Sequence, residues 1–211
     1  MLKVSSLGCE WDSRILFSDL TFEVASGSAL IVSGANGVGK SSLLKILTGL
    51  SLPSSGSISW QDKIFKAGDP YFLSDLLYIG HKIGIQPALT PLQNLEWMIG
   101  ISRKSVVKNC RRALEAVDLA AFESVPCEVL SKGQCQRVAL ARLWLDPPIC
   151  WILDEPFTAL DETGVSLVQD RFLTHLKHGG ILVVATHHKI ALNPYPWQEI
   201  RLEPVKNNFV F

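Results

Sequence analysis

The sequence predicts an α/β protein with three parts: a mixed sheet covered by helices, an antiparallel β flap before it, and an inserted α-helical subdomain. Apolar and polar residues alternate along residues 2–24, as in the strands of a flap. The apolar run Ala29–Val32 is followed by a glycine-rich loop and a helix-spaced segment, which is typical of an α/β core. A helical pattern from about 82 to 146 interrupts the core. We therefore expect one domain, 1–211, with the helical subdomain at about 82–146.

Composition limits the classes of partner. The chain has 211 residues, and 20 basic and 20 acidic side chains give it a formal net charge of +0. A neutral chain has no basic footprint for nucleic acid, so we expect none as a partner. The longest apolar runs, such as Ile181–Ala185, are too short to span a bilayer. The hydrophobic content of 47% favours an apolar docking surface, although a large buried sheet explains it equally well.

Five cysteines are scattered along the chain without a Cys-x-x-Cys pair. An odd number of widely spaced cysteines predicts reduced thiols in a cytosolic compartment.

The flap is predicted from the segments Leu2–Val4, Ile15–Phe17 and Leu20–Val24. Trp11 lies between the first two of them. An exposed aromatic ring at this point can stack on an adenine base, and the alternative is a hairpin side chain that packs on the local core.

A phosphate-binding loop is predicted directly after the first buried strand. The pattern Gly-x-x-x-x-Gly-Lys-Ser lies between a strand and a helix, which is the context that such a loop requires. Its backbone amides and the helix N-terminus would converge on a polyphosphate. The positive charge of Lys40 would bind the β- and γ-phosphates, and the Ser41 hydroxyl would ligate Mg²⁺. The candidate loop residues are Gly34, Ala35, Asn36, Gly37, Val38, Gly39, Lys40, Ser41 and Ser42.

The middle of the chain predicts two further strands and then helices. Gly56–Trp60 and Leu76–Gly80 are the strands, and the second ends at His81. The segment Val106–Val117 is amphipathic and predicts a helix, with Ser105 as its N-cap.

The core resumes at Ile149–Leu153, a strand that leads into Asp154-Glu155-Pro156. A helix through Phe172 ends at Gly179-Gly180, and Ile181–Thr186 is the next strand. Lys40, Asp154, Glu155 and His187 therefore follow the carboxyl ends of strands, where open α/β sheets bind ligands.

These side chains have complementary chemistry. Asp154 would hold Mg²⁺, Glu155 would activate a water in line with the γ-phosphate, and His187 would hydrogen-bond that phosphate. The alternatives are an acidic pair that caps the next helix and a structural histidine.

A second anion-binding helix terminus is predicted at Leu130-Ser131-Lys132-Gly133-Gln134, which opens a helix over 135–142. Ser131 is its expected N-cap. Because the loop at Gly34 already accounts for one nucleotide, we expect this terminus to serve the nucleotide of another copy.

Together these motifs resemble the nucleotide-binding domain of ATP-binding cassette (ABC) transporters over essentially the whole chain. The residues Leu76–His81, 138–145 and Leu153–Asp161 resemble, more narrowly, the haem-exporter ATP-binding subunits of cytochrome c maturation. The resemblance implies a P-loop NTPase fold of ABC type, ATP and Mg²⁺ as cofactors, and ATP hydrolysis coupled to transport.

The resemblance also implies residue roles. Trp11 would stack on adenine, and His187 would be the switch histidine. Asp161 would lie at a dimer interface near the partner's phosphate loop. His81 stands where ABC domains have a glutamine near Mg²⁺, and Lys132 replaces a glycine, pointing either to solvent or towards the nucleotide of the other copy. The contacts to that nucleotide would come from Ser131, Gly133 and Gln134.

The expected assembly is a homodimer in the ATP-bound state, together with integral membrane transporter subunits of a cytochrome c maturation-type complex. The chain would be peripheral, at the cytoplasmic face of the bacterial inner membrane, without direct haem contact. Membrane partners would dock at His81–Met98, through the apolar residues Leu89, Leu92, Leu95 and Trp97.

Three rival functions compete with this interpretation. The predicted anion-binding helix at Ser131 argues against a P-loop kinase or GTPase, and the chain has no Asn-Lys-x-Asp guanine-binding motif. An ABC ATPase of DNA repair or translation usually carries insertions that 211 residues cannot hold. An ABC subunit for a different substrate stays open.

Overall fold

The computed structural model describes residues 1–12, 14–102, 107–145 and 148–204. Its contacts divide the chain into two compact units. The first comprises Met1–Tyr78, Pro148–Glu155 and Phe172–Phe211, and the second comprises Ile79–Pro147 and Pro156–Arg171.

Two sheets build the first unit. The first sheet contains β1 (Leu2–Trp11), β2 (Arg14–Val24), β4 (Ser55–Trp60) and β5 (Lys63–Ile64), in the order β2-β1-β4-β5. All of its pairings are antiparallel, and register shifts interrupt the β1–β2 ladder. The alternating pattern forms a flap because β1, β2 and β4 each have buried residues that meet the core and exposed residues that meet solvent.

The second sheet contains β3 (Ala29–Gly34), β6 (Leu76–Ile79), β7 (Cys150–Asp154), β8 (Ile181–Ala185) and β9 (Trp197–Leu202). Its strand order is β6-β7-β8-β3-β9, and β3 pairs in parallel with both β8 and β9, as β7 does with β8. Both β7 and β8 are buried at every position, which explains their continuous apolar sequences. The parallel pairing brings the carboxyl ends of β3, β7 and β8 to one edge.

Helices α1 (Lys40–Leu47) and α2 (Pro70–Ser74) also belong to the first unit, and α6 (Glu162–Lys177) ends within it. Leu43, Leu44 and Leu47 of α1 are fully buried in the main core, where they anchor the helix that follows the glycine-rich loop. The predicted glycine stop of α6 is confirmed, since Gly179 has a φ of 81°.

The second unit contains α3 (Pro91–Ser102), α4 (Val107–Ala116) and α5 (Lys132–Leu140) around a separate core. The amphipathic pattern of α4 is confirmed within its described part, where Cys110, Ala113 and Leu114 are buried. The predicted N-cap Ser105 and the predicted subdomain limit near 146 lie outside the described residues. The helix α5 begins three residues earlier than expected, at Lys132, and ends two residues earlier, at Leu140, because Ala141–Trp144 form a 3₁₀ turn.

The prediction that Leu95 belongs to the docking surface is wrong. Leu95 is fully buried in the core of the second unit, so it is not part of a docking surface. Leu89 and Leu92 are half-buried, and Trp97 is exposed. The apolar periodicity of α3 has to supply a core face as well as a surface, and sequence alone does not separate the two.

The five cysteines are all described, and all are free thiols, as expected. Burial raises the pKa of Cys127 to about 11 and that of Cys150 to about 12, so neither is a reactive thiolate at neutral pH.

Candidate functional site

The glycine-rich loop joins β3 to α1, and its backbone favours glycine at both ends. Gly34 has a φ of 138° and Gly39, the residue before α1, has a φ of 113°. A Cβ atom on Gly34 would overlap the carbonyl oxygen of Leu202. An L-residue is therefore strained at both positions, so the loop geometry accounts for both glycines.

Lys40 is the first residue of α1, and its side chain folds back over the loop. Its Nζ donates to the carbonyl oxygens of Gly34 (2.8 Å) and Ala35 (3.3 Å). The residue is only 8% exposed. A buried ammonium group held among backbone carbonyls can exchange these neutral acceptors for the more strongly attracting oxygens of a phosphate.

His187 follows β8, and its side chain contacts both the glycine-rich loop and Glu155, the residue after β7. Its Nε2 lies 3.0 Å from Asn36 Oδ1, 3.4 Å from Glu155 Oε1 and 3.0 Å from Lys40 Nζ. A single ring nitrogen either donates to the two oxygens or accepts from the ammonium group, so these contacts belong to two alternative states of the imidazole. The histidine can therefore respond to a change in the position of Lys40.

Glu155 is held in an uncommon backbone conformation. Its φ is 50°, and its amide donates to the carbonyl oxygen of Ala185 at 2.8 Å, which ties it to the end of β8. The side chain is 19% exposed. A positive φ at a residue other than glycine is often found at functional sites, where neighbouring structure maintains it.

Asp154 ends β7 and supplies the strongest indication of a cation among the described residues. The residue is 4% exposed, and within the described part of the chain its Oδ2 has no hydrogen-bond partner. Burial and the charge of Asp154 raise the pKa of Tyr78 to about 12. A buried, unpartnered carboxylate oxygen fits a hard cation such as Mg²⁺, which usually takes one or two protein ligands and completes its shell with phosphate and water. No larger metal-binding cluster of His, Cys, Asp or Glu occurs among the residues that the structure describes.

The side chains of Trp11 and His81 are both exposed. Trp11 ends β1 opposite Arg14 of β2, and it is 68% exposed, so it is available for stacking. His81 follows β6 with its side chain exposed. The hydroxyl residues Ser41 and Ser42 lie in the first turn of α1 and are half-buried.

In the second unit, Ser131 and Gln134 form a capping box at the start of α5. Ser131 Oγ accepts from the amide of Gln134 (3.1 Å), and Gln134 Oε1 accepts from the amide of Ser131 (2.8 Å). The predicted N-cap is confirmed. The capping role of the Gln134 side chain was not predicted, although the Ser-x-x-Gln spacing signals it. Lys132 is exposed.

Asp161 lies before α6 and makes two strong contacts. Its Oδ1 accepts from the amide of Gly164 (3.0 Å) and from Nη2 of Arg137 (2.6 Å). The Gly164 amide, followed by Arg137, lowers the pKa of Asp161. Arg137 was not predicted from sequence, since only the fold brings it to Asp161. Both side chains line an open cleft of about 430 Å³ in this unit, together with Ser131, Gly133, Gln134 and Ala159.

Comparison with known proteins identifies the family. The family model described as ABC transporter matches residues 17–158. The cytochrome c biogenesis ATP-binding export protein CcmA of Pseudomonas fluorescens is 43% identical over 202 residues, which cover 96% of each chain. The protein of the same name from Escherichia coli is 44% identical over 191 residues, covering 90% of each chain.

Solved structures agree with the fold. A putative ABC transporter ATP-binding protein from Pyrococcus furiosus superposes with a TM-score of 0.80 and 22% identity, covering 95% of this chain and 96% of that one. An ATP-binding cassette solved as a dimer in a post-hydrolysis state, with ADP and Pi, has a TM-score of 0.80 and 22% identity over 89% of this chain and 88% of its own. The glycine-rich loop, the residues after β7 and β8, and these matches lead to one conclusion: the chain belongs to the ABC transporter family.

Proposed function

We propose that this chain is the ATP-hydrolysing subunit of an export complex for cytochrome c biogenesis, of the haem-exporter type, and that it energises integral membrane partners. The proposal for ATP hydrolysis rests chiefly on the cluster formed by Lys40, His187 and Glu155 around the glycine-rich loop. The proposal for the transport task rests on similarity to the CcmA proteins.

Binding of ATP begins at the loop. The backbone amides of residues 34–42 and the N-terminus of α1 surround the phosphates, and Lys40 leaves the carbonyls of Gly34 and Ala35 for the β- and γ-phosphate oxygens. Trp11 stacks on the adenine, which gives a role to a large aromatic side chain exposed at the end of β1.

Asp154 and Ser41 are the residues that would hold Mg²⁺. The unpartnered Oδ2 of Asp154 and the Ser41 hydroxyl at the start of α1 would be its protein ligands. When bound, Mg²⁺ supplies charge neutralisation of the phosphate oxygens. His81 stands in the sequence where ABC domains have a glutamine, and its imidazole would take over the polar role of that side chain.

Glu155 acts as the general base. Its carboxylate orients a water molecule and accepts its proton, and His187 holds this carboxylate through Nε2. When Lys40 turns towards phosphate, His187 is free to donate to Glu155 and to the γ-phosphate. Exchange between its two sets of contacts therefore couples phosphate binding to alignment of the base.

The second half of the ATP site comes from another copy of the chain. The capped N-terminus of α5 offers Ser131 and the backbone at Gly133 to the γ-phosphate bound by that copy, with Gln134 fixing their geometry. Asp161 then faces the phosphate loop of the partner. The active species is accordingly a homodimer that closes on ATP and opens after hydrolysis.

We propose that the chain reaches the membrane through partner subunits. No helix in residues 1–12, 14–102, 107–145 and 148–204 is long and apolar enough to cross a membrane. We assign the docking surface to His81–Met98, where Trp97 is 48% exposed and Leu89 and Leu92 supply further apolar area. We propose that the chain is peripheral at the cytoplasmic face of the bacterial inner membrane, that the membrane subunits handle haem, and that the chain has no nucleic-acid partner.

Complementation tests the transport task. The gene is expressed in Escherichia coli lacking its own CcmA, beside the Glu155→Gln variant as the control without turnover. Covalent haem staining of c-type cytochromes should return with the wild type alone, and the membrane subunits should co-purify with the chain. Co-purification with the membrane subunits of a different exporter, without return of cytochrome c, would assign another substrate.

A further inference from the structure

One face of α5 is attached to the loop of residues 156–161, which follows the general base. Gly133, Gln136 and Arg137 are spaced i, i+3 and i+4 and therefore lie on the same side of the helix. Each of the three contacts a different point of the loop 156–161, and all of these residues belong to the second unit. Helix α5 begins at the Ser131 cap, so the contacts link that cap to the loop.

The first two attachments fix the beginning and middle of the loop. The Gln136 side chain, 7% exposed, donates from Nε2 to the carbonyl oxygen of Pro156 at 3.0 Å. At Gly133 the helix lies close to the backbone of the loop: a Cβ atom added to Gly133 would lie 2.5 Å from the carbonyl oxygen of Ala159. A larger residue at Gly133 would push the loop away from the helix.

The third attachment fixes the end of the loop. The Arg137 side chain is 17% exposed, and besides Asp161 it donates to the carbonyl oxygen of Val117 at 3.3 Å. Gly164 packs directly on the guanidinium group, since a Cβ atom there would lie 3.4 Å from its Nε and Nη2. A planar guanidinium with several fixed donors can bind these partners at once, which a lysine ammonium cannot do in the same geometry.

We propose that Gln136 and Arg137 are positioning residues for hydrolysis, which hold the loop 156–161 in fixed register with the Ser131 end of α5. Closure of a second copy's nucleotide on Ser131 then sets the position of Asp161 in the same movement. The inference rests on the proposed dimeric ATPase. It requires that both residues affect turnover in the closed dimer and leave ATP binding by the separate chain unchanged.

Arg137→Gln tests the inference in the chain of residues 1–211. We expect kcat to fall by about 10-fold or more, equivalent to about 1.4 kcal/mol, with an unchanged dissociation constant for ATP. Arg137→Lys keeps the charge without the fork and should restore part of kcat. Gln136→Met keeps the size without the donor and should likewise lower kcat alone. Arg111→Gln is the matched control, because Arg111 pairs with Glu123 at 3.3 Å on the surface of the same unit, and it should retain wild-type turnover.

A double-mutant cycle identifies the path of the effect. If Arg137 acts through Asp161, the Arg137→Gln/Asp161→Asn double variant is no slower than the slower single variant. Multiplicative losses, unchanged kcat in Arg137→Gln, or a loss of ATP affinity parallel to kcat would each overturn the inference. The proposed function is tested separately by ATP-dependent dimerisation of Glu155→Gln, which contains the native Arg137.

Discussion

Replacement of Asp154 by asparagine should raise the stability of the nucleotide-free protein while abolishing its ATP hydrolysis. Asp154 is 4% exposed, and its Oδ2 finds no donor among the described residues. An unsatisfied buried polar group destabilises a protein by about 1–3 kcal/mol, and more when it is charged. The variant removes the charge, so we expect a gain of about 1 kcal/mol, which raises Tm by about 2–4 °C in a chain of this size.

The assay is thermal unfolding without ligand and with ATP, each in the presence and absence of Mg²⁺. A ligand at about 100 times its Kd adds about 2.7 kcal/mol to the stability of the wild type. In Asp154→Asn the Mg²⁺-dependent part of this increase should disappear, together with ATP hydrolysis.

Asp75→Asn is the matched control for this experiment. The carboxylate of Asp75 already accepts from Trp60 Nε1 at 2.9 Å, so removal of its charge weakens an existing charge-assisted hydrogen bond and should not raise Tm. A lower Tm for nucleotide-free Asp154→Asn, or an undiminished Mg²⁺ dependence, would refute the assignment of Asp154 to the cation.

The other predictions concern single side chains. Trp11→Ala should weaken ATP binding by about 5- to 150-fold, since base stacking contributes about 1–3 kcal/mol. Its Tm should be unchanged because the ring is 68% exposed. An unaltered affinity for ATP would show that Trp11 has only a structural role in the hairpin. Glu155→Gln should bind ATP and hydrolyse it at least about 10²-fold more slowly, and normal turnover would remove Glu155 as the base. The Gly164 amide and Arg137 lower the pKa of Asp161 from 3.8, so its stabilising contribution is complete above that value and is lost as pH falls through the folded-state pKa. The Tm advantage of the wild type over Asp161→Asn should therefore shrink only below about pH 4, and a difference that is constant with pH would contradict this.

The parts of the fold that sequence predicts well are those whose signals are local. Strands β7 and β8 are buried along their whole length, so their apolar runs were unambiguous. The glycine spacing before Lys40 is similarly specific, because a strand, this spacing and a helix in succession are typical of phosphate-binding loops. The α5 N-cap also follows from a local pattern, and the same pattern contained the capping role of Gln134.

The contacts between distant residues were not predictable from sequence. Lys40 and His187 are 147 positions apart, and only the parallel pairing of β3 and β8 brings them together. The pairing of Arg137 with Asp161 likewise depends on the packing of the second unit. Leu95 was expected at the surface because an amphipathic pattern does not state which of its apolar residues face the core. The edge strand β9 was not predicted at all, since its sequence is mostly exposed.

In the proposed mechanism, ATP is enclosed only when the Ser131 helix of one copy meets the glycine-rich loop of another. Small-angle scattering of Glu155→Gln, with and without saturating ATP and Mg²⁺, measures this directly, and Lys40→Ala serves as the control that should stay monomeric. We expect ATP to double the scattering mass of Glu155→Gln and removal of ATP to reverse the change. If a nucleotide-saturated Glu155→Gln keeps the mass of one chain, alone and with its membrane partners, ATP is enclosed without a second copy and the proposed dimer is wrong.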